Sequence, residues 1–330
     1  MSESASSAAA ELPLAAQTRR RPDWLPLAIV LGLAVVAIVI AIAVTPNFLT
    51  LDNIRAILRN AAIVGIVAVA MTPVTLSGNF VSLGIAQSAM TAMVAFVAML
   101  GAGWGQLAAI IAVIAGLVLI GILQGIVVAA GLNPVITTLA AGAILFGVVS
   151  ELTGGRIVGV GENKVAWGGS DIAGIPLEVL IFLAVTALTT VMMTRTVVGR
   201  ETILAGANRA TAEISGISFA RVTIIAFAIF SAGLAIAGIL SGAAYGQATA
   251  NSFPALTINV IAALLVGGTA IQGGDGSPLR SAAGAVLISV ITNMMVLNDF
   301  SPGGRLAVQG GVVVVTVVLL DLLRRRGLRP

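Results

Sequence analysis

From Leu27 to Val44 the chain carries no polar residue at all, and comparable apolar runs recur to the C-terminus, separated by short polar or proline-marked breaks. A membrane barrel would alternate apolar and polar positions with period two, whereas these runs are apolar on every face, so they predict helices. Each helical span needs about 20 apolar residues, and 330 residues leave room for about ten. Pro22 and Pro26 flank the first start, Pro46 the first end and Pro73 the second end, while Pro134, Pro176, Pro254, Pro278 and Pro302 stand at or before later runs. The pattern therefore predicts spans at about 25–45, 53–72, 82–100, 106–130, 134–152, 176–194, 222–246, 256–272, 280–298 and 304–322. The first run is too long for the core of a secretory signal, which is about 7–15 residues, and is read as a span.

Two polar intervals interrupt this pattern. The longer, Arg195 to Arg221, contains Asn208, suited to capping a helix start, and Gly216, suited to ending one, which predicts a helix of about two turns between them. A helix that short is unstable alone, so a docking partner is expected there. The second, Thr153 to Ile175, carries Arg156, Glu162, Lys164, Trp167 and Asp171 and is read as a loop at the opposite membrane face. It would cap a mouth, receive a protein, or be a solvated loop with Trp167 as interfacial anchor. No sequence repeat is visible, although four spans on either side of the long interval leave an inverted arrangement possible.

Composition excludes several classes. With 58% hydrophobic and 9% charged residues and a mean hydropathy of +1.11, the chain cannot clothe a water-soluble surface. The expected fold class is an all-α integral membrane protein of about ten transmembrane helices with both termini cytoplasmic. Residues 1–23 would form an N-terminal tail, 24–323 one transmembrane domain and 324–330 a basic C-terminal tail. Placing the N-terminus inside puts Arg19, Arg20, Arg21, Arg195, Arg200, Arg209, Arg221, Arg280, Arg324, Arg325, Arg326 and Arg329 in the cytoplasm. Only Arg55, Arg59, Arg156, Lys164 and Arg305 then lie outside, a bias that sets orientation and explains the pI near 10.9 without a nucleic-acid partner. Cys and His are absent, which removes thiolate and imidazole metal sites.

Energy must come from elsewhere. A phosphate-binding loop needs a lysine in Gly-x-x-x-x-Gly-Lys-Ser/Thr, and the single lysine, Lys164, stands in Gly161-Glu162-Asn163-Lys164-Val165-Ala166. The acidic residues Asp52, Glu151, Glu178, Asp299 and Asp321 hug span ends, so no span offers a proton carrier at its middle. What the spans hold are uncharged hydrogen-bonding groups: Asn79, Ser82 and Gln87 near the third span, Asn133, Thr137 and Thr138 at the fifth, Thr292 and Asn293 in the ninth. Such groups suit a neutral polyhydroxylated solute or, equally, hold helices together. Gly238, Gly242 and Gly246 give the seventh span a smooth face for close packing. Val266 to Pro278, glycine-rich but lacking a lysine, is read as a cytoplasmic turn with an irregular helix end.

Three stretches carry a resemblance to the permease subunits of bacterial ATP-binding-cassette importers for ribose, xylose and galactose: Gly131-Leu132-Asn133-Pro134-Val135-Ile136-Thr137-Thr138-Leu139, Gly206-Ala207-Asn208-Arg209-Ala210-Thr211-Ala212-Glu213-Ile214-Ser215-Gly216-Ile217, and Val266-Gly267-Gly268-Thr269 through Gly276-Ser277. The middle stretch resembles the helix that seats on the cytoplasmic ATPase. The resemblance thus implies coupling roles for Asn208, Arg209, Ala212, Glu213, Ser215 and Gly216. Members of that family commonly read Gly-Gly-Ile-Asp-Leu-Ser-Val-Gly before the third span, near the translocation path. Here Ser77-Gly78-Asn79-Phe80-Val81-Ser82-Leu83-Gly84 replaces it, placing Asn79 and Phe80 where a carboxylate is usual, and Thr211 replaces a usual alanine. The resemblance implies no cofactor on this chain, ATP and Mg being consumed by the partner ATPase. It also implies an extracytoplasmic solute-binding protein, a second permease copy as homodimer or heterodimer, and residence in the bacterial inner membrane amid lipid. A monosaccharide or polyol is the leading cargo. A nucleoside, a signalling furanose, a branched amino acid, or an ATP-independent carrier or channel are the alternatives, and a membrane-embedded enzyme lacks paired catalytic groups.

Overall fold

The computed structural model describes residues 25–160, 165 and 167–326. The expected tail 1–23, Glu162, Lys164 and the end of the basic tail lie outside the described residues. Twelve helices follow in order among those described: α1 (Leu25–Val44), α2 (Leu51–Leu76), α3 (Ile85–Gly101), α4 (Gln106–Ala129), α5 (Pro134–Thr153), α6 (Leu177–Arg195), α7 (Val197–Ala207), α8 (Arg209–Ile214), α9 (Phe219–Tyr245), α10 (Leu256–Val266), α11 (Pro278–Leu297) and α12 (Pro302–Arg326). Four two-residue strands among the described residues sit at one end. β1 (Val158–Gly159) pairs with β4 (Gln247–Ala248), and β2 (Asp171–Ile172) with β3 (Ile175–Pro176) around Ala173 and Gly174, both at positive φ as a tight hairpin requires.

Among the described residues seven helices are long and apolar enough to cross a membrane: α1, α2, α4, α5, α6, α9 and α11. They divide by burial. Most of the apolar window is buried in α2 (72%), α9 (67%) and α11 (61%), but only 17% in α1 and α5. The first three thus form the centre, and the periphery turns apolar side chains outward as lipid demands. α3 and α10 are shorter apolar helices, each entered by a non-helical segment, 77–84 and 247–255.

Several boundaries depart from expectation. Pro73 does not end α2, which runs on to Leu76. Thr72, Thr75 and Ser77 donate their hydroxyls to carbonyls three or four residues back, and the whole turn is buried against neighbouring helices, which hold the helix past the proline. α9 begins at Phe219 because Ser218 caps it. α10 stops at Val266, where Gly267 must lie against the Arg280 backbone and Gly268 turns at positive φ. α7 is an unforeseen helix, capped by Thr196, which accepts from the Gly199 N–H.

The halves α2–α5 and α9–α12 use the same packing pattern without sequence repetition. α4 lies along α9 as α11 lies along α2; α3 packs on α9 and α5 as α10 packs on α2 and α12. The central pair is antiparallel. The end of α2 meets Gly206 and Gly274 beside α8, while its start is bound to Gly169 and Asp171, next to the end of α9. The halves are therefore inverted relative to one another, the arrangement common in transporters. Gly238 and Gly242 bring α9 onto α3, whose Ala89 and Ala92 leave no room for a Cβ at 238, whereas Gly246 caps α9 instead of joining that face. Asn298 donates to Thr45 at 2.7 Å, placing the C-terminal ends of α1 and α11 together. α1 therefore starts, and α12 finishes, toward the end of the bundle where α8 lies.

Candidate functional site

α8 is built almost entirely from its own sequence. Asn208 accepts from the Thr211 N–H at 3.1 Å, closing the start. Gly216, at φ +80°, closes the finish, with its N–H on the Glu213 carbonyl and that of Ile217 on the Ala212 carbonyl, the paired bonds of a Schellman motif. Arg209 bonds Glu213 at 2.9 Å one turn on, and its guanidinium lies 3.9 Å above the Phe219 ring. Ala212 is buried against Ala205 and Val222, which pins six residues onto α7 and α9. Ile214 projects outward, 90% exposed. The helix thus presents a rigid polar platform with one apolar knob, beside a shallow cavity lined by Arg209, Glu213, Gly216 and Phe219.

Immediately behind this platform three chain segments cross through glycine. Gly206 in α7 lies so close to the Leu76 carbonyl and the Gly274 N–H that no Cβ fits. Gly78, opening the segment into α3, touches Gly206 and Gly273, and the Gly274 N–H bonds the Leu76 carbonyl at 3.1 Å. Only glycine permits three backbones to meet at such range. The crossing joins α7 to the segment before α3 and to the loop between α10 and α11. That loop is itself held by Arg280 on Asp275 at 2.8 Å.

At the opposite end a cavity of about 700 Å³ opens between α2, α9 and the first turn of α10. Charged residues line its mouth: Asp52, Arg55, Arg59 and Asp171. Arg59 donates to the Gly169 carbonyl at 2.7 Å and to Asp171 at 3.1 Å, and Arg55 lies 3.3 Å from the other Asp171 oxygen, so the 167–172 segment is strapped across the start of α2. Trp167 meets Phe96 edge-on at 6.3 Å, and Gly168 packs on the Ala243 backbone, which presses the same strap onto α3 and α9. Deeper down the lining passes to Ser241, Glu178 and Asn259. Asn259 accepts from Gln309 at 2.9 Å, and Gln309 also donates to Thr292, a buried relay tying the floor to α12 and α11. Beside this floor the Ala86 N–H donates to Thr257 at 3.2 Å, so the first turns of α3 and α10 meet inside the bundle.

Residues 53–317 match the family described as branched-chain amino acid transport system / permease component. The chain belongs to this permease family. The probable ABC transporter permease protein YphD of Escherichia coli is 32% identical to it over 85% of both chains. The ribose import permease protein RbsC of Bacillus subtilis is 31% identical, covering 88% of this chain and 91% of the relative. The L-arabinose transport system permease protein AraH of Escherichia coli is 29% identical over 90% and 92% respectively. No solved structure matches the chain. The permease is thus a multi-pass membrane protein of the ABC transporter class.

The structure scatters the pathway residues expected from sequence. Asn79 is buried in the permease, donating to Ser77 and Thr223 and fastening the segment before α3 to α9. Thr138 accepts from the Leu83 N–H, Gly84 lies against the Thr138 backbone, and Gln87 reaches toward Gly142, which gathers Ser82, Gln87 and Thr138 around the contact of α3 with α5. The Gln87 side-chain oxygen is buried there without a hydrogen bond. Phe80 points outward, more than half exposed. Asn133 caps α5 through the Val135 N–H, and Thr137 bonds back to the Asn133 carbonyl, both at the exposed start of that helix. Asn293 donates to Asn53 across α11 and α2. None of these eight lines the charged cavity. Arg55, Arg59 and Glu178 went unselected because in sequence each reads as a span-end anchor. Only their convergence with Asp171, more than a hundred residues from the arginines, distinguishes them.

Proposed function

We propose that the permease is the transmembrane subunit of an importer that moves a small neutral solute, a monosaccharide or polyol. It receives the solute from an extracytoplasmic binding protein and is driven by a separate cytoplasmic ATPase seated on α8. The observation that carries this reading is α8 itself: a doubly capped, six-residue platform with Ile214 exposed, directly backed by the glycine crossing. A push on α8 has a short solid route through α7 to Gly78 and Gly274, and so to the segments that carry α3 and α10. The α8 face is then cytoplasmic along with both termini, agreeing with the arginine bias, and α12, together with α3 and α10 and the non-helical segments that enter them, completes ten crossings of the inner membrane. Asn208, Arg209, Ala212, Glu213, Ser215 and Gly216 shape the ATPase seat. Asn79, Phe80, Ser82, Gln87, Asn133, Thr137, Thr138 and Asn293 remain candidates for the moving path that opens when the halves shift. The second permease copy would supply the second ATPase seat.

Two relatives are named for ribose and L-arabinose transport, and a neutral solute agrees with spans whose middles lack fixed charge. The test is ATP-driven uptake of labelled D-ribose, L-arabinose and xylitol into proteoliposomes holding the permease, its ATPase and its binding protein. Uptake of at least one that stops without ATP is expected. Accumulation against a gradient with the ATPase omitted, or labelling that finds Ile214 on the outer face, would overturn the proposal.

A further inference from the structure

At the end of the bundle away from α8 the core is split. Ile57 of α2 packs with Ala41, Phe48 and Val290, whereas Ile239 and Ala243 of α9 pack with α3 and α4, and the cavity of about 700 Å³ lies between the two helices. Residues 167–172 cross this seam and are fastened on both sides. On the side of α3 and α9, Trp167 meets the fully buried Phe96, and Gly168 lies so close to the Ala243 backbone that no Cβ fits. On the α2 side the fastening is ionic: Asp171 pairs with Arg59 at 3.1 Å and with Arg55 at 3.3 Å, and the Gly169 carbonyl accepts from Arg59. The two joints differ in kind. Parting the first exposes apolar surface, while the second is held by side chains 24–40% exposed, where water can replace each partner.

We infer that residues 167–172 are a clasp over the mouth of the cavity that releases at its arginine joint, and that α6 is the lever that releases it. The Leu177 N–H donates to the Ser170 carbonyl at 3.1 Å, so the strap continues into the start of α6, and α6 leads through α7 to α8. One stretch of chain thus carries the clasp at one end and the platform at the other. α6 lies on α2 with the Phe182 ring against Gly65, where no Cβ fits, so α2 is the wall along which the lever shifts. A slide of about 1–2 Å, ordinary for packed helices, stretches both Asp171 pairs past hydrogen-bond length. The Trp167 and Gly168 joint then serves as the pivot. That α8 is the driven end rests on the proposed function, whereas the clasp stands on its own contacts.

The chain holds no cysteine, so introduced thiols report without background. Ser241 is buried on the cavity wall. The first arm of the test follows labelling of Ser241→Cys by a charged methanethiosulfonate in full-length permease in nanodiscs, without partners. Adding D171N should speed labelling about tenfold, and adding D171E, which keeps the charge, should speed it much less. Circular dichroism and thermal melting report folding independently, and should D171N fail to fold, R59Q takes its place in the same comparison. Labelling no faster than in the Ser241→Cys parent, or accelerated as much by D171E as by the neutral variant, overturns the inference. The second arm joins Arg59→Cys to Asp171→Cys with a short bis-methanethiosulfonate in proteoliposomes that also hold the ATPase and the binding protein. ATP-driven uptake of labelled D-ribose, L-arabinose or xylitol should stop on crosslinking and return on reduction. Uptake unaffected by complete crosslinking overturns the clasp and leaves the import reading in place. Uptake independent of ATP removes the import reading instead, and the labelling arm then decides the clasp alone, as it does where the cysteine pair carries no uptake before crosslinking.

Discussion

Within the α8 platform itself the side-chain contacts join residues three or four apart, Asn208 with Thr211 and Arg209 with Glu213. At the opposite end Arg59 reaches 110 and 112 residues along the chain to Gly169 and Asp171. The local set makes a rigid platform that survives small shifts of the helices beneath it. The distant set ties separate segments together over a cavity, so any relative motion of α2 and the strap must break it. A transporter needs both: a fixed surface to be pushed, and a closure that yields.

The largest effect is expected where the platform meets the bundle. Gly206→Val forces a branched side chain into the Leu76 and Gly274 backbones, and overpacking of this kind costs about 1–3 kcal/mol. Uptake should be abolished while ATP hydrolysis by the assembled complex persists, and wild-type uptake would break the proposed route from α8. Next comes Ile214→Asp, at a side chain 90% exposed, so stability should not change. Loss of a docking anchor is worth about 2 kcal/mol, some thirtyfold in ATPase affinity, measurable by titration of the ATPase against nanodisc-held permease. Unaltered affinity would move the seat away from α8.

Smaller effects sharpen the contrast of range. Arg59→Ala removes two contacts of the strap, and with solvent screening at this partly exposed site the loss should be about 1 kcal/mol. Amide exchange should rise across 167–172 and stay unchanged in α8. Asn208→Ala deletes a cap worth about 1 kcal/mol, and exchange should rise only in 209–214. Spread of either response to the other end would show that the two ends are coupled in the resting state.

The parts legible in advance were those set by neighbours in sequence. The cap at Asn208 and the stop at Gly216 need only local side-chain and backbone geometry, and both stand where expected. Apolar runs gave most helix positions because lipid requires an unbroken apolar length. Pro73 misled because the turn around it is buried against neighbouring helices, whose packing carries the helix past a proline, a property of surroundings instead of spacing. α7 was missed because its pattern is short and mixed, and its stability comes from packing on α6 and the end of α2.

The sequence by itself determined a membrane-embedded helical chain, its orientation bias, the α8 platform and the lack of a nucleotide-binding lysine, since hydrophobic length, charge placement and motif chemistry are all read along one strand. Tertiary structure alone decided that the halves are inverted, that glycines from three distant segments meet behind α8, and that Glu178, Arg55 and Arg59 line one cavity. Those features depend on which faces of uniformly apolar helices touch. Lipid imposes no periodic polar pattern from which such faces could be read, so close packing and long-range polar pairing choose them instead.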